Sequence, residues 1–185
     1  MPSLQQRQLT ASTRCVQLIL DRGTTDLGVE DFLGTAEVSR RTFHRWFPAK
    51  EQLLRPFYAE MARRFAIRAC RSLPLTVDSV AAAWEQEALG ERPGHTLELH
   101  RLLRCSRSYW SVFLEVLQDG EGILAQELGA TVSAQGERCA IVTAVSVVAA
   151  SRLAMDAAVL RGADPVAEFR QLLIAFDPPL LTPAA

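Results

Sequence analysis

Between Val38 and Leu54 the chain reads VSRRTFHRWFPAKEQLL, and from Arg40 to Lys50 it carries four cations and no carboxylate. Arg40, Arg41, Thr42, His44 and Arg45 are the residues whose chemistry stands out. A guanidinium grips guanine through two hydrogen bonds. A threonine hydroxyl bonds a base edge or its methyl meets a thymine methyl, and both side chains also hold phosphate. Lys50 is the only lysine in the chain, against nineteen arginines.

Such a surface works only if it is held rigid, and the flanking pattern supplies the frame. Ala11, Cys15, Leu18 and Ile19 fall on one face of a first helix that Gly23 ends. Val29, Phe32, Leu33 and Ala36 repeat the stripe over a shorter second helix. Glu37-Val38-Ser39 follows as a turn, and Ser39 caps a third helix beginning at Arg40. Phe43 and Phe47 face inward from it, and Pro48 ends it. Two short helices across a three-residue turn, braced by a third in front, form a helix-turn-helix. Phe32, Val38, Phe43 and Phe47 lock that pair, so the outer face of the second can enter a major groove as one body.

The stretch Val38–Leu54, extended back through Gly23 and Val29-Glu30-Asp31-Phe32 to cover roughly residues 9–58, resembles the reading head of the tetracycline-repressor (TetR) family of bacterial transcriptional regulators. The resemblance implies a homodimer that binds double-stranded operator DNA through two heads and is released by a small-molecule effector. It implies base or nearby phosphate contacts for Arg40, Arg41 and Thr42, and backbone contacts for His44, Arg45 and Trp46. For Lys50 it implies a grip on phosphate at the start of the fourth helix. Three positions depart from the family pattern. Gly28 stands where a threonine is usual, Glu37 replaces the turn glycine, and Ala49 replaces a capping serine.

Composition agrees with a chain of two parts. Of 185 residues, 49% are apolar and 22% charged, as in a globular protein. The net charge of −1 hides a division: residues 1–71 hold twelve basic and seven acidic side chains, and residues 72–185 hold eight and fourteen. A basic module that meets a polyanion, joined to one that does not, gives this asymmetry. The expected domains are therefore a helix-turn-helix DNA-binding domain over 1–50 and a helical effector-binding and dimerisation domain over 51–185.

Beyond the head the period stays helical and no strand alternation occurs, so the fold class is all-α. A fourth helix is expected from about 50 to 71, with Pro56 as a bend near its start or a hinge. Leu73-Pro74 marks a boundary. Further helices are expected at about 77–90, 95–105, 107–119, 122–131, 135–161 and 165–176, the last opened by Asp164 and Pro165 and stopped by Pro178-Pro179. Gly120-Glu121-Gly122-Ile123-Leu124-Ala125 fits a dinucleotide-binding spacing, but it follows a helix rather than a strand and reads as a helix–helix turn.

Trp84, Leu103, Tyr109, Trp110, Phe113 and Met155 are candidate walls of an effector pocket, or plain core. His100 and Arg104 are candidate polar anchors there, or a surface pair. The small-residue segment 135–161 and the stripe Val166, Phe169, Leu172, Leu173 and Phe176 suit a four-helix homodimer interface formed by 135–161 and 165–176. Arg152 and Asp156, four apart, are placed to pair.

No catalytic constellation occurs, so an enzyme is not expected, and neither is a cofactor. His95 and His100 are five apart, a poor fit to two metal ligands on one helix face. The four cysteines lie 55, 35 and 34 residues apart, which matches neither a disulfide framework nor a zinc motif. The N-terminus lacks an apolar signal region, and the longest uncharged apolar run, Cys139 to Ser151, is 13 residues, short for a bilayer. A cytoplasmic protein without a membrane partner is the expectation. The alternative is a helical ligand-binding or sequestering protein with a degenerate helix-turn-helix, a reading that Gly28, Glu37 and Ala49 keep open.

Overall fold

Four polar side chains stand one residue ahead of a helix and take up N–H groups that the helix itself leaves unpaired. Ser3 accepts from Gln6, Ser39 from Thr42, Thr76 from Ser79, and Asp164 from both Val166 and Ala167. At the other ends Gly23 and Gly162 adopt φ of 62° and 67° and close their helices as C′ residues.

The computed structural model describes residues 3–71, 74–90, 92–131 and 136–182. Within them run α1 (Leu4–Arg22), α2 (Val29–Ala36), α3 (Arg40–Trp46), α4 (Leu54–Cys70), α5 (Val77–Trp84), α6 (Pro93–Arg104), α7 (Arg107–Gly129), α8 (Glu137–Arg161) and α9 (Pro165–Phe176). A 3-10 turn over Lys50–Leu53 leads into α4, and a π-helical turn over Glu85–Leu89 continues α5. Among the described residues no strand forms, beyond an isolated parallel bridge between Thr76 and Thr182. The protein is all-α.

The helices gather into two compact units. The first holds the residues up to Glu60 together with Arg101–Val116, and the second holds Met61–His100 with the residues from Leu117 onward. This differs from a division at residue 50. Leu53, Leu54 and Tyr58 are buried, and the ring of Tyr58 packs edge-on against Phe113 at 5.2 Å. Arg55 pairs with Glu115, and the Ser108 hydroxyl donates to Glu51 at 3.1 Å. The start of α4 and the first half of α7 are thus parts of the same core as α1–α3.

The second unit is built on Ala66, Trp84, Leu124, Leu128, Ala144, Val147, Ala150, Ala154, Phe169 and Leu173, all buried. Trp84 stacks on Phe169 at 4.5 Å, and its indole N–H donates to Ser151 at 2.7 Å. Helix α8 is long and apolar enough to cross a membrane by length and composition, with a mean hydropathy of 1.6 over its most apolar stretch. Its buried face packs into this core, and it carries Arg152 and Asp156.

Three expectations change. The sequence Gly120 to Ala125 is not a turn: α7 runs unbroken from Arg107 to Gly129. Two glycines cost a helix about 1 kcal/mol each. Against that, Tyr109, Val112, Phe113, Val116, Leu124 and Leu128 are buried at helical spacing, and each contributes about 1.5–3 kcal/mol by leaving water. Pro56 is the third residue of α4, in its first turn, where a missing N–H breaks no bond within the helix. On α1 the buried stripe is Ala11, Ser12, Cys15, Val16 and Ile19, with Leu18 only half-buried. Of the expected boundaries, Leu73 and residue 135 lie outside the described residues.

Candidate nucleic-acid interface

Helix α2 ends at Glu37, whose φ of 54° and ψ of 41° place a side chain in the left-handed region that favours glycine. Its N–H still bonds the Leu33 carbonyl, as does that of Val38 at 3.4 Å, so the turn closes as a glycine would close it. The Glu37 carboxylate pairs with Arg14 of α1 at 2.6 Å. Gly28 has no side chain to cap α2, and Asp31 reaches back instead to accept the Gly28 N–H at 2.8 Å.

Below α2 and α3 lies an aromatic stack. Phe32 and Phe43 are parallel within 8° at 6.3 Å, and Phe47 meets Phe43 edge-on at 5.1 Å. All three are at most 1% exposed. That stack fixes the inner face of α3 and turns Arg41, His44 and Arg45 to solvent, with Thr42 beside them half-buried. Arg40 is exposed and paired with Glu30 in the first turn of α2. An exposed pair of this kind is worth about 0–1 kcal/mol and opens readily to a competing anion. Trp46 is half-buried, and its indole nitrogen is enclosed without an acceptor among the described residues.

Lys50 opens the 3-10 turn, and its ammonium donates to the Leu27 carbonyl at 2.7 Å. It thereby ties the loop before α2 to the entry of α4. Ala49 offers no side-chain cap there. A second tie was not legible in the sequence. The hydroxyl of Ser12, fully buried on α1, donates to the Leu53 carbonyl and accepts the Phe57 N–H at 3.1 Å. A lone serine on an apolar stripe gives no signal of such a bond.

The residues expected around an effector divide between the two units. Leu103, Arg104, Tyr109, Trp110 and Phe113 belong to the first, and Trp84, His100 and Met155 to the second. In the first, Leu103, Tyr109 and Phe113 are buried, and the Arg104 guanidinium lies 4.9 Å from the centroid of the Trp110 ring. Burial raises the pKa of the Tyr109 hydroxyl, and the nearby Glu51 and Cys15 raise it further. In the second, His100 is 2% exposed and meets Asp156 at 2.8 Å, while Arg152 reaches the same carboxylate at 3.2 Å. A void of about 10 Å³ in that unit is lined by Phe65, Ala69, Val80, Leu124, Thr143 and Val147 among others, and by none of the expected effector residues. It is about the size of one water, and its walls are apolar.

No family model matches this sequence, and no curated protein matches it. Among solved structures the chain is similar to a crystal structure from Rhodococcus sp. described as a candidate TetR-family transcriptional regulator. The identity is 16%, the match covers 94% of this chain and 98% of that one, and the TM-score is 0.56. The chain therefore has the TetR-like fold, all-α with a helix-turn-helix near its start.

Proposed function

We propose that this protein is a transcriptional regulator of the TetR family that binds double-stranded operator DNA as a homodimer. The observation that carries the reading is the outer face of α3. Arg41, His44 and Arg45 are exposed on a helix whose inner face is fixed by Phe32, Phe43 and Phe47. Arg41 and Thr42 reach base edges or nearby phosphates, as Arg40 does once Glu30 yields it. His44, Arg45 and Trp46 hold the backbone on either side. The ammonium of Lys50 has three protons, and the Leu27 carbonyl takes one, so it is held in place with donors left for phosphate.

Helices α8 and α9 support the dimer. Ile141, Val142, Val145, Leu160, Ile174 and Phe176 on these two helices are large, apolar and 41–64% exposed, surface that water disfavours and that a second copy of the chain would cover. Two heads on one frame read two half-sites. A small effector that binds one state of the frame better than another changes how well the heads match those half-sites, which makes the protein a releasable repressor. No enzymatic step and no cofactor enter this scheme, and it operates in the cytoplasm.

The test is a binding selection from random duplexes with the full chain, followed by affinity for the selected site across salt. A specific site with a steep log–log slope is expected, and each phosphate left unneutralised flattens the slope by about 0.9. Arg41→Ala and Lys50→Ala are expected to lower affinity, the latter together with the slope. The pairing of Arg40 with Glu30 favours the second reading, a ligand-binding protein whose head has lost its DNA. Failure to select any duplex, with a shallow slope, would establish that one.

A further inference from the structure

The second half of α4 carries Arg63, Arg64, Ile67 and Arg68, and Arg71 follows in the turn just past its end, spaced to continue the same side. Together with Glu87 they line a concavity of about 230 Å³ within the second compact unit. Four guanidiniums and one carboxylate give the lining three net positive charges, in a unit that otherwise holds five basic and twelve acidic side chains. Arginines three and four apart repel one another along this face. An anion in the concavity relieves that repulsion.

The single carboxylate is what makes this more than a basic surface. Glu87 sits in the π-helical turn Glu85–Leu89, a rare local geometry that recurs at functional sites. Its side chain is 3% exposed, and its two oxygens are divided between two guanidiniums, Arg64 at 2.8 Å and Arg68 at 2.5 Å. Arg68 spends one of its five N–H groups on Oε1, while Arg64 meets Oε2 as an ion pair without a hydrogen bond, so that buried oxygen keeps no donor among the described residues. Arg64 and Arg68 stay 59% and 41% exposed. Glu87 thus holds two planar forks in place while leaving them open to solvent. Holding them in advance removes the ordering cost that long side chains otherwise bring to binding.

We infer that this concavity is a binding site for a small molecule bearing two or three linked phosphates. Guanidinium forks match phosphate oxygens in pairs. One phosphate does not engage four of them spread over two helical turns, whereas a diphosphate or triphosphate does. Ile67 gives an apolar surface for the rest of the ligand. A duplex is a poor fit, because its phosphates lie on a convex surface and do not enter a recess. The site is independent of α3 and goes beyond the DNA-reading role.

The experiment is calorimetric titration of the full chain with inorganic tripolyphosphate, pyrophosphate and orthophosphate at low salt. One tripolyphosphate per chain is expected, with affinity falling at least tenfold from tripolyphosphate to orthophosphate. Arg71→Glu, at an exposed position, and Ile67→Glu, at a half-buried one, are expected to weaken tripolyphosphate at least tenfold while the circular dichroism spectrum stays put, and Arg71→Glu also leaves the melting temperature unchanged. Arg41→Ala, in the head, is expected to leave it unchanged. The inference falls if tripolyphosphate does not bind at millimolar concentration, or if Arg41→Ala abolishes binding and the two groove variants do not. It also falls if anionic vesicles or an acidic peptide bind this face while tripolyphosphate does not. Because the readout uses no DNA, its failure and that of the DNA-reading proposal are separate results.

Discussion

Replacing Ser12 by alanine removes one oxygen and tests how the head is tied to the fourth helix. That hydroxyl is fully buried and serves two backbone groups, the carbonyl of Leu53 and the N–H of Phe57. Alanine fits the space but leaves both without their partner. A buried polar group stripped of its hydrogen bond costs about 1–3 kcal/mol. Phe57 is only partly buried, so the two groups together are set at about 2–4 kcal/mol. Native stabilities are about 5–15 kcal/mol, so the loss is large. Denaturant unfolding of the full chain measures it, as a lower midpoint with an unchanged slope. Thr13→Ala is the control: its hydroxyl is exposed and bonds only the Leu9 carbonyl one turn back, so its removal is expected to cost under about 0.5 kcal/mol. If Ser12→Ala costs no more than Thr13→Ala, the buried tie contributes nothing and the reasoning fails.

Glu37→Gly relieves a left-handed residue of about 1–2 kcal/mol and forfeits an exposed ion pair worth about 0–1, so a net gain near 0.5–1 kcal/mol is expected in the same unfolding assay. Gly122→Ala, inside α7 with nothing within 4 Å of the added methyl group, is expected to raise stability by about 0.5–1 kcal/mol. Burial pushes the Cys15 thiol up to about 12, leaving about one thiolate in ten thousand at pH 8. Mass spectrometry after brief alkylation is therefore expected to find the exposed Cys105 modified and Cys15 intact, with Cys15 reacting only once the chain unfolds. Val142→Arg with Ile174→Arg is expected to leave α8 and α9 folded and to shift the sedimenting species from dimer to monomer.

What could be read from the residues in advance follows a physical line. Capping and periodicity are local, so Ser39, Asp164 and Gly23 marked their helix ends correctly, and the apolar stripes of α2 and α9 were plain. Where a local signal competed with a distant one, the local signal misled. Gly120 and Gly122 look like a turn until the apolar stripe on both sides of them is counted as one. Pro56 looks like an interior helix residue until the 3-10 turn ahead of it moves the helix start to Leu54. The exposed cationic face of α3 and its buried phenylalanines were legible because charge, spacing and the aromatic residues sit within one short segment. Side-chain partners from elsewhere were not: the Leu27 carbonyl on Lys50, Glu30 on Arg40, Asp156 on His100 and Glu87 on two arginines are matters of three-dimensional approach that no spacing encodes. The same holds for the expected effector residues, which are adjacent in pattern yet fall into different compact units.

The inclusion of Arg101–Val116 in the core of the first unit has a consequence for how the protein is made. On a ribosome the helix-turn-helix emerges early, but the wall supplied by Tyr109 and Phe113 does not yet exist. At about 5–20 residues per second, the stretch between Glu60 and Val116 takes on the order of 3 to 11 seconds to appear. Throughout that interval Leu53, Leu54 and Tyr58 lack part of their cover, and a polypeptide released near residue 60 is exposed to aggregation and proteases. The head is thus a discontinuous unit that completes itself only after the Met61–His100 part of its neighbour has been synthesised.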